Sequence, residues 1–216
     1  MLDKNQVYIY VFDMEDGRST EERLKIAATK YCSEAGWQVL PECSEASWKD
    51  RLQVARTNRG KPYFPDFPQI QVSVSHSGAY CVCAVSGETI GVDLQKHVRL
   101  KEETIEGASI RFRKMARRFF HSVEADYVAD DSYYGFFGLW AARESYVKYT
   151  GQGIDASFSE HCVIPTQKEK WPKFGEENGV VWQAQDVWFW ERRYKEEYSL
   201  CICTKNPCEY IVVDEK

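Results

Sequence analysis

Two acidic residues stand out by their settings. Asp93 ends the short apolar stretch "ETIGVDLQKH" (88–97), and Glu144 lies within "LWAARESYVKYTGQG" (139–153). A carboxylate at the end of a buried strand is costly unless something pairs it. Glu144 belongs to the series Trp140, Glu144, Lys148, whose spacing stacks all three on one face of a helix. Taken alone, Glu144 and Lys148 read as an ordinary surface ion pair worth about 0.2–0.5 kcal/mol. Leu139, Ala142, Tyr146 and Val147 place that face at the edge of a core instead. Mg²⁺ is commonly held by one or two protein carboxylates together with substrate phosphates. Asp93 and Glu144 therefore form a candidate metal pair, with Lys148 beside them. Gln95 follows Asp93 by two residues and points to the same side of a strand. Its amide oxygen, or a water it orders, is a third candidate ligand without charge.

Cations gather in two places. "ARTNRGK" (55–61) carries Arg56, Arg59 and Lys61 around Gly60. Basic side chains and the backbone amides beside a glycine can hold phosphates, although the same segment also reads as a solvated basic loop. "IRFRKMARRFF" (110–120) carries Arg111, Arg113, Lys114, Arg117 and Arg118 around Phe112, Met115, Ala116 and Phe119, a helical i, i+3, i+4, i+7 pattern. In "VSVSHSG" (72–78), Ser75 and His76 suggest a nucleophile and its base. Neighbours on a strand point to opposite faces, which makes them a poor dyad. His76 reads better as a residue that caps a phosphate or a turn.

The whole chain bears on which ligands suit these groups. Its 216 residues are 44% hydrophobic and 28% charged, the composition of an ordinary soluble protein with one large domain or two small ones. The net charge of −5 argues against a general nucleic-acid binder, so the basic clusters point to an anionic ligand or an acidic partner. No run approaches the ~18 apolar residues of a membrane span. The start, "MLDKNQVYIYVFDMEDG", lacks the pattern of a signal peptide, and cytoplasmic residence is expected. Of the eight cysteines, four form Cys81-x-Cys83 and Cys201-x-Cys203 in β-rich runs. They read as small buried hydrophobes rather than a zinc site, whose usual spacings are missing.

These residues need elements to position them. Residues 6–12 read as a strand, and 20–34 as a helix capped by Ser19 or Thr20 and stopped at Gly36. "RGKPYFPDFP" reads as a loop, and 69–94 as a three-stranded meander with turns at Ser77-Gly78 and Ser86-Gly87. In the second half the basic helix is followed by another over 134–149. "VVWQAQDVWFW", "EYSLCICT" and "CEYIVV" then read as strands, and "TQKEKWPKFGEENG" as a charged loop. The expected class is α+β, with two similar α/β halves, 1–96 and 97–216, each a small antiparallel sheet with flanking helices and a ligand cleft between them.

Four blocks, "RGKPYFP", "VSVSHSG", "IGVDLQ" and "FFGLWAARESYVKYTGQG", occur in this order from about Arg56 to Gly153. On these the chain resembles the 4′-phosphopantetheinyl transferases of the larger, two-halved, surfactin-synthetase-activating type. The resemblance implies pseudo-two-fold halves with coenzyme A between them. It implies transfer of the phosphopantetheine arm of coenzyme A to a serine of an acyl, peptidyl or aryl carrier protein, with release of adenosine 3′,5′-bisphosphate. It assigns Arg56, Arg59, Lys61, Ser75 and His76 to the coenzyme, Asp93 and Glu144 to Mg²⁺, and Lys148 to the pyrophosphate. Glu144 is also a candidate base. A pseudo-dimeric chain needs no partner subunit, so a monomer is expected.

The chain departs from the family pattern at Arg143, where lysine is frequent, and at Gln95, where an acid is frequent. Its N-terminal region is short, which leaves Arg23 as a candidate coenzyme contact there. The basic helix suits an acidic carrier protein. Two other classes fit parts of the pattern. A metal-dependent nuclease also combines Asp, Glu and Lys, but usually with the lysine two residues after the acid on a strand. A coenzyme- or carrier-binding module without activity would treat Gln95 as the mark of a decayed site.

Overall fold

The run "QVYIYVFD" forms strand β1 (Gln6–Asp13), and its alternate residues enter two different cores. Tyr8, Tyr10 and Phe12 pack with helix α1 (Thr20–Glu34), while Val7, Ile9 and Val11 pack against a second sheet. A strand buried on both faces needs no polar alternation. The computed structural model describes residues 5–34, 51–131, 133–153 and 159–215. Ser19 starts α1 with a reciprocal cap: its hydroxyl accepts the Glu22 N–H, and Glu22 accepts the Ser19 N–H. The stop expected at Gly36 lies outside the described residues.

The next strands are β2 (Ala55–Arg56) and β3 (Pro62–Tyr63), a two-residue ribbon closed by the turn that holds Arg59 and Gly60. Then come β4 (Gln71–Ser77), β5 (Tyr80–Ser86) and β6 (Ile90–Lys96). Helices α2 (Ile105–Phe119), α3 (Ser122–Asp130) and α4 (Tyr134–Thr150) follow. The chain closes with β7 (Val180–Ala184), β8 (Val187–Tyr194), β9 (Tyr198–Thr204) and β10 (Glu209–Asp214).

The strands make two four-stranded sheets, β10-β1-β5-β4 and β6-β9-β8-β7. They face one another across a core that includes Ile9, Val82, Val92, Leu200 and Ile202. Helix α1 covers the far side of the first sheet, and α2 to α4 cover the far side of the second. Cys81 and Cys83 lie buried beneath α1, and Cys201 and Cys203 beneath the other helices, as small core residues. Among the described residues no helix is long and apolar enough to cross a membrane.

Three expectations need correction. The meander does not form: β4 and β5 make a hairpin, but β6 leaves them and pairs with β9. A three-residue connection suits either path, so local sequence does not choose between them. The first sheet is not wholly antiparallel, because β10 pairs in parallel with β1. The sheets therefore exchange strands, with β6 in the second sheet and β10 in the first. Helix α3 carried no apolar stripe to betray it, and is held by a capping box of His121 and Glu124. "VVWQAQDVWFW" is two strands, not one, because Gln185 and Asp186 both take positive φ and form a turn without glycine.

Candidate active site

Strand β6 and helix α4 pack side by side, and Gly91 makes that possible. A Cβ there would stand 1.9 Å from the Ser145 carbonyl oxygen and 2.5 Å from the Tyr149 backbone nitrogen. Two residues further along β6, Asp93 is buried beside the face of α4 that carries Glu144 and Lys148. The Lys148 ammonium donates to Asp93 Oδ1 at 2.7 Å, and the Ser75 hydroxyl donates to the same oxygen at 2.7 Å. Asp93 Oδ2 is buried without a hydrogen-bond partner. Burial pushes the Glu144 carboxyl above the ordinary carboxylate range, and the negative charge of Asp93 pushes it further. Lys148 offsets part of that rise.

This corner opens into a cavity of about 530 Å³. Asp93, Leu94 and Gln95 line it from β6, and Trp140, Glu144, Val147 and Lys148 from α4. Arg56, Arg59, Gly60 and Lys61 come from the β2–β3 ribbon, and Ser73 to His76 from β4. The expected stacking of Trp140, Glu144 and Lys148 is present, and Arg56, Arg59, Lys61, Ser75, His76, Asp93 and Gln95 line this one cavity with them. Thr20 at the start of α1 also lines it. Its only sequence signal was the capping pair before the helix, and a helix N-terminus favours anions.

The cations differ in availability. Arg56 is exposed and donates to the Gly60 carbonyl at 3.0 Å, while Arg59 donates to the carbonyl of Gln152. The Lys61 ammonium donates to the Tyr149 carbonyl at 3.0 Å and approaches that of Ile90 at 3.4 Å. It thus ties the end of α4 to the start of β6, and burial lowers its pKa. His76 is exposed on β4, while Ser75, its neighbour, is buried, as strand alternation requires. The Gln95 amide nitrogen donates to the Lys96 carbonyl at 3.2 Å.

Two residues considered from the sequence lie elsewhere. Arg23 is buried in an ion pair with Asp16 at 2.5 Å and is not part of the cavity wall. Arg143 points away from the cavity into a buried ion pair with Glu124, and also donates to the His161 carbonyl at 2.8 Å. Glu124 further accepts the N–H groups of Val163 at 2.8 Å and His121 at 3.1 Å. The arginine thus joins α3, α4 and the segment after α4. A fork of several N–H donors does this better than a lysine ammonium.

The donor set fits a small divalent cation. Two carboxylates, one with an unpartnered buried oxygen and the other strained by its neighbour's charge, would be relieved by one. The surrounding basic groups suit a ligand carrying several phosphates.

Comparison with known proteins gives the same direction. A family model described as the 4′-phosphopantetheinyl transferase superfamily matches residues 89–203, from the start of β6 through β9. A 4′-phosphopantetheinyl transferase of Bacillus subtilis is 31% identical over 156 residues, 68% of this chain and 61% of that protein. The 4′-phosphopantetheinyl transferase gsp of Aneurinibacillus migulanus is 35% identical over 124 residues, 56% of this chain and 47% of its own length. The L-aminoadipate-semialdehyde dehydrogenase-phosphopantetheinyl transferase of Xenopus laevis is 27% identical over 169 residues, 71% and 54% respectively. The chain thus spans about half to three-fifths of the length of these curated relatives.

Proposed function

The chain belongs to the 4′-phosphopantetheinyl transferase superfamily, and from that membership we propose that it transfers the 4′-phosphopantetheine arm of coenzyme A to a serine of an apo-carrier protein. The observation that carries this reading is the convergence of Asp93, Glu144 and Lys148 on a cavity whose other wall is basic. In the proposed reaction the carrier serine oxygen bonds to the pantetheine-side phosphorus of the pyrophosphate. The bond from that phosphorus to the bridging oxygen breaks, and adenosine 3′,5′-bisphosphate leaves with its electron pair. Such a displacement is driven by positioning and by neutralising charge.

Asp93 and Glu144 would hold Mg²⁺, with Gln95 beside them, and the cation would neutralise charge on the pyrophosphate. Lys148 meets the same pyrophosphate. Arg56, Arg59 and His76 bind the coenzyme's phosphates, with Lys61 holding the wall in place. Glu144, directly or through a water, receives the serine proton. Helix α2 presents the carrier-protein face. Ile110 and Phe119 are exposed there beside Lys114 and Arg118, a surface suited to an acidic amphipathic partner.

Mixing the protein with coenzyme A, Mg²⁺ and a panel of apo-acyl, peptidyl and aryl carriers should yield the phosphopantetheine adduct by mass spectrometry. Asp93→Ala and Glu144→Ala should each abolish it while the protein stays folded by circular dichroism. Binding of coenzyme A without transfer to any carrier would identify a binding module instead. DNA cleavage in Mg²⁺ would identify a nuclease.

A further inference from the structure

Strands β4 and β6 are neighbours on the edges of different sheets, and three alternate serines of β4 join them. The Ser73 hydroxyl accepts the Val92 N–H at 3.0 Å, and the Ser77 hydroxyl accepts the Lys96 N–H at 2.9 Å. These side chains stand in for the carbonyls of a regular ladder and cover an otherwise bare strand edge. Each bond spans nineteen residues. The same offset would take Ser75 to the N–H of Leu94. Ser75 breaks the pattern: its hydroxyl donates instead to Asp93 Oδ1 at 2.7 Å.

That exception falls on the one carboxylate of the strand. Ser75 and Lys148 both donate to Oδ1, and Oδ2 is left buried without a partner. We propose that Ser75 is a positioning residue for Asp93: by holding Oδ1 it fixes the carboxylate's rotation and keeps Oδ2 turned to the cation. The inference rests on the transferase reading above, and gives Ser75 a different task from contact with the coenzyme. A hydroxyl suits it because it is small enough for the buried seam and donates without adding charge beside Lys148.

Mn²⁺ titration followed by the electron paramagnetic resonance of the free ion tests this without coenzyme or carrier. Ser75→Ala should weaken Mn²⁺ binding by about 10–100-fold, the usual effect of removing a group that orients a metal ligand. Ser77→Ala cuts the same seam away from Asp93 and should bind Mn²⁺ as the wild type does. In transfer assays Ser75→Ala should lower kcat and leave KM for coenzyme A near the wild-type value, and Ser75→Thr should recover part of both losses. Should Ser75→Ala fail to fold, Ser75→Cys, a weaker donor of similar shape, is read in the same titration.

Equal Mn²⁺ affinity in the Ser75 and Ser77 variants would overturn the proposal. So would a Ser75 effect confined to KM for coenzyme A, or absence of Mn²⁺ binding by the wild type. A Ser75-dependent Mn²⁺ affinity in a protein that transfers nothing would instead retain this inference and remove the transferase reading.

Discussion

Replacing Gly91 with alanine should uncouple the two elements that carry the site. The added methyl would lie 1.9 Å from the Ser145 carbonyl oxygen and 2.5 Å from the Tyr149 nitrogen. Both obstacles are helix backbone, so no side-chain rotation relieves them. A Cβ essentially never comes within 3.0 Å of another heavy atom, so β6 and α4 must part by roughly 1 Å. Ser145 and Tyr149 adjoin Glu144 and Lys148, and Asp93 is two residues from Gly91. The separation therefore falls on the 2.7 Å bond between Lys148 and Asp93. Overpacking of this kind costs about 1–3 kcal/mol of stability. A displacement near 1 Å in a catalytic constellation lowers turnover by about 100-fold. Urea unfolding reads the first, and phosphopantetheine transfer under saturating Mg²⁺ and coenzyme A reads the second. Wild-type turnover in a variant destabilised as expected would refute the reasoning, because the strand–helix distance would then not govern the site.

Three further outcomes are expected. Glu191 is wholly buried on β8, with one oxygen accepting the Gly175 N–H at 3.0 Å, and burial pushes its carboxyl from 4.5 to about 7. The folded protein keeps a proton that the unfolded chain releases, so this stabilisation is complete below pH 4.5 and lost as pH rises through about 7. The loss is roughly 3 kcal/mol, and urea unfolding at pH 5 and pH 8 should show it in the wild type but not in Glu191→Gln. Glu124→Ala leaves the Arg143 charge buried without its carboxylate and should cost about 3–5 kcal/mol, read as a lower urea midpoint. Gln95→Glu should lower the Mg²⁺ concentration for half-maximal transfer. An unchanged or raised requirement would place Gln95 outside the cation's reach.

Much of the site was legible because its chemistry repeats at short range. The i, i+4 spacing of Trp140, Glu144 and Lys148 sets one helix face whatever the helix packs against. The alternation of Ser75 and His76 sets opposite strand faces in the same way. What those faces meet was not legible. Ser75 is offered by the sequence as a coenzyme contact, and nothing in the sequence shows that its hydroxyl meets Asp93. Lys61 is offered as a phosphate ligand, and nothing in the sequence shows that its ammonium meets the end of α4. Arg143 stands out in the sequence only as a departure from the family pattern beside Glu144, yet a helix turns successive residues by about 100°, and it enters the core beside Glu124.

The sequence by itself determined most of the elements, the faces they present and the membership of the family, since each depends on periodicity, capping residues or motifs within a few turns of chain. Only the tertiary structure decided which sheet each strand joins. Strand β6 is close enough in sequence to extend the β4–β5 hairpin, yet it pairs with β9, more than a hundred residues away. The difference lies in burial: in its place β6 has the inter-sheet core on one side and α4 on the other, and Gly91 fits the second contact only there. That choice puts Asp93 beside Glu144 and Lys148, and no local pattern encodes it.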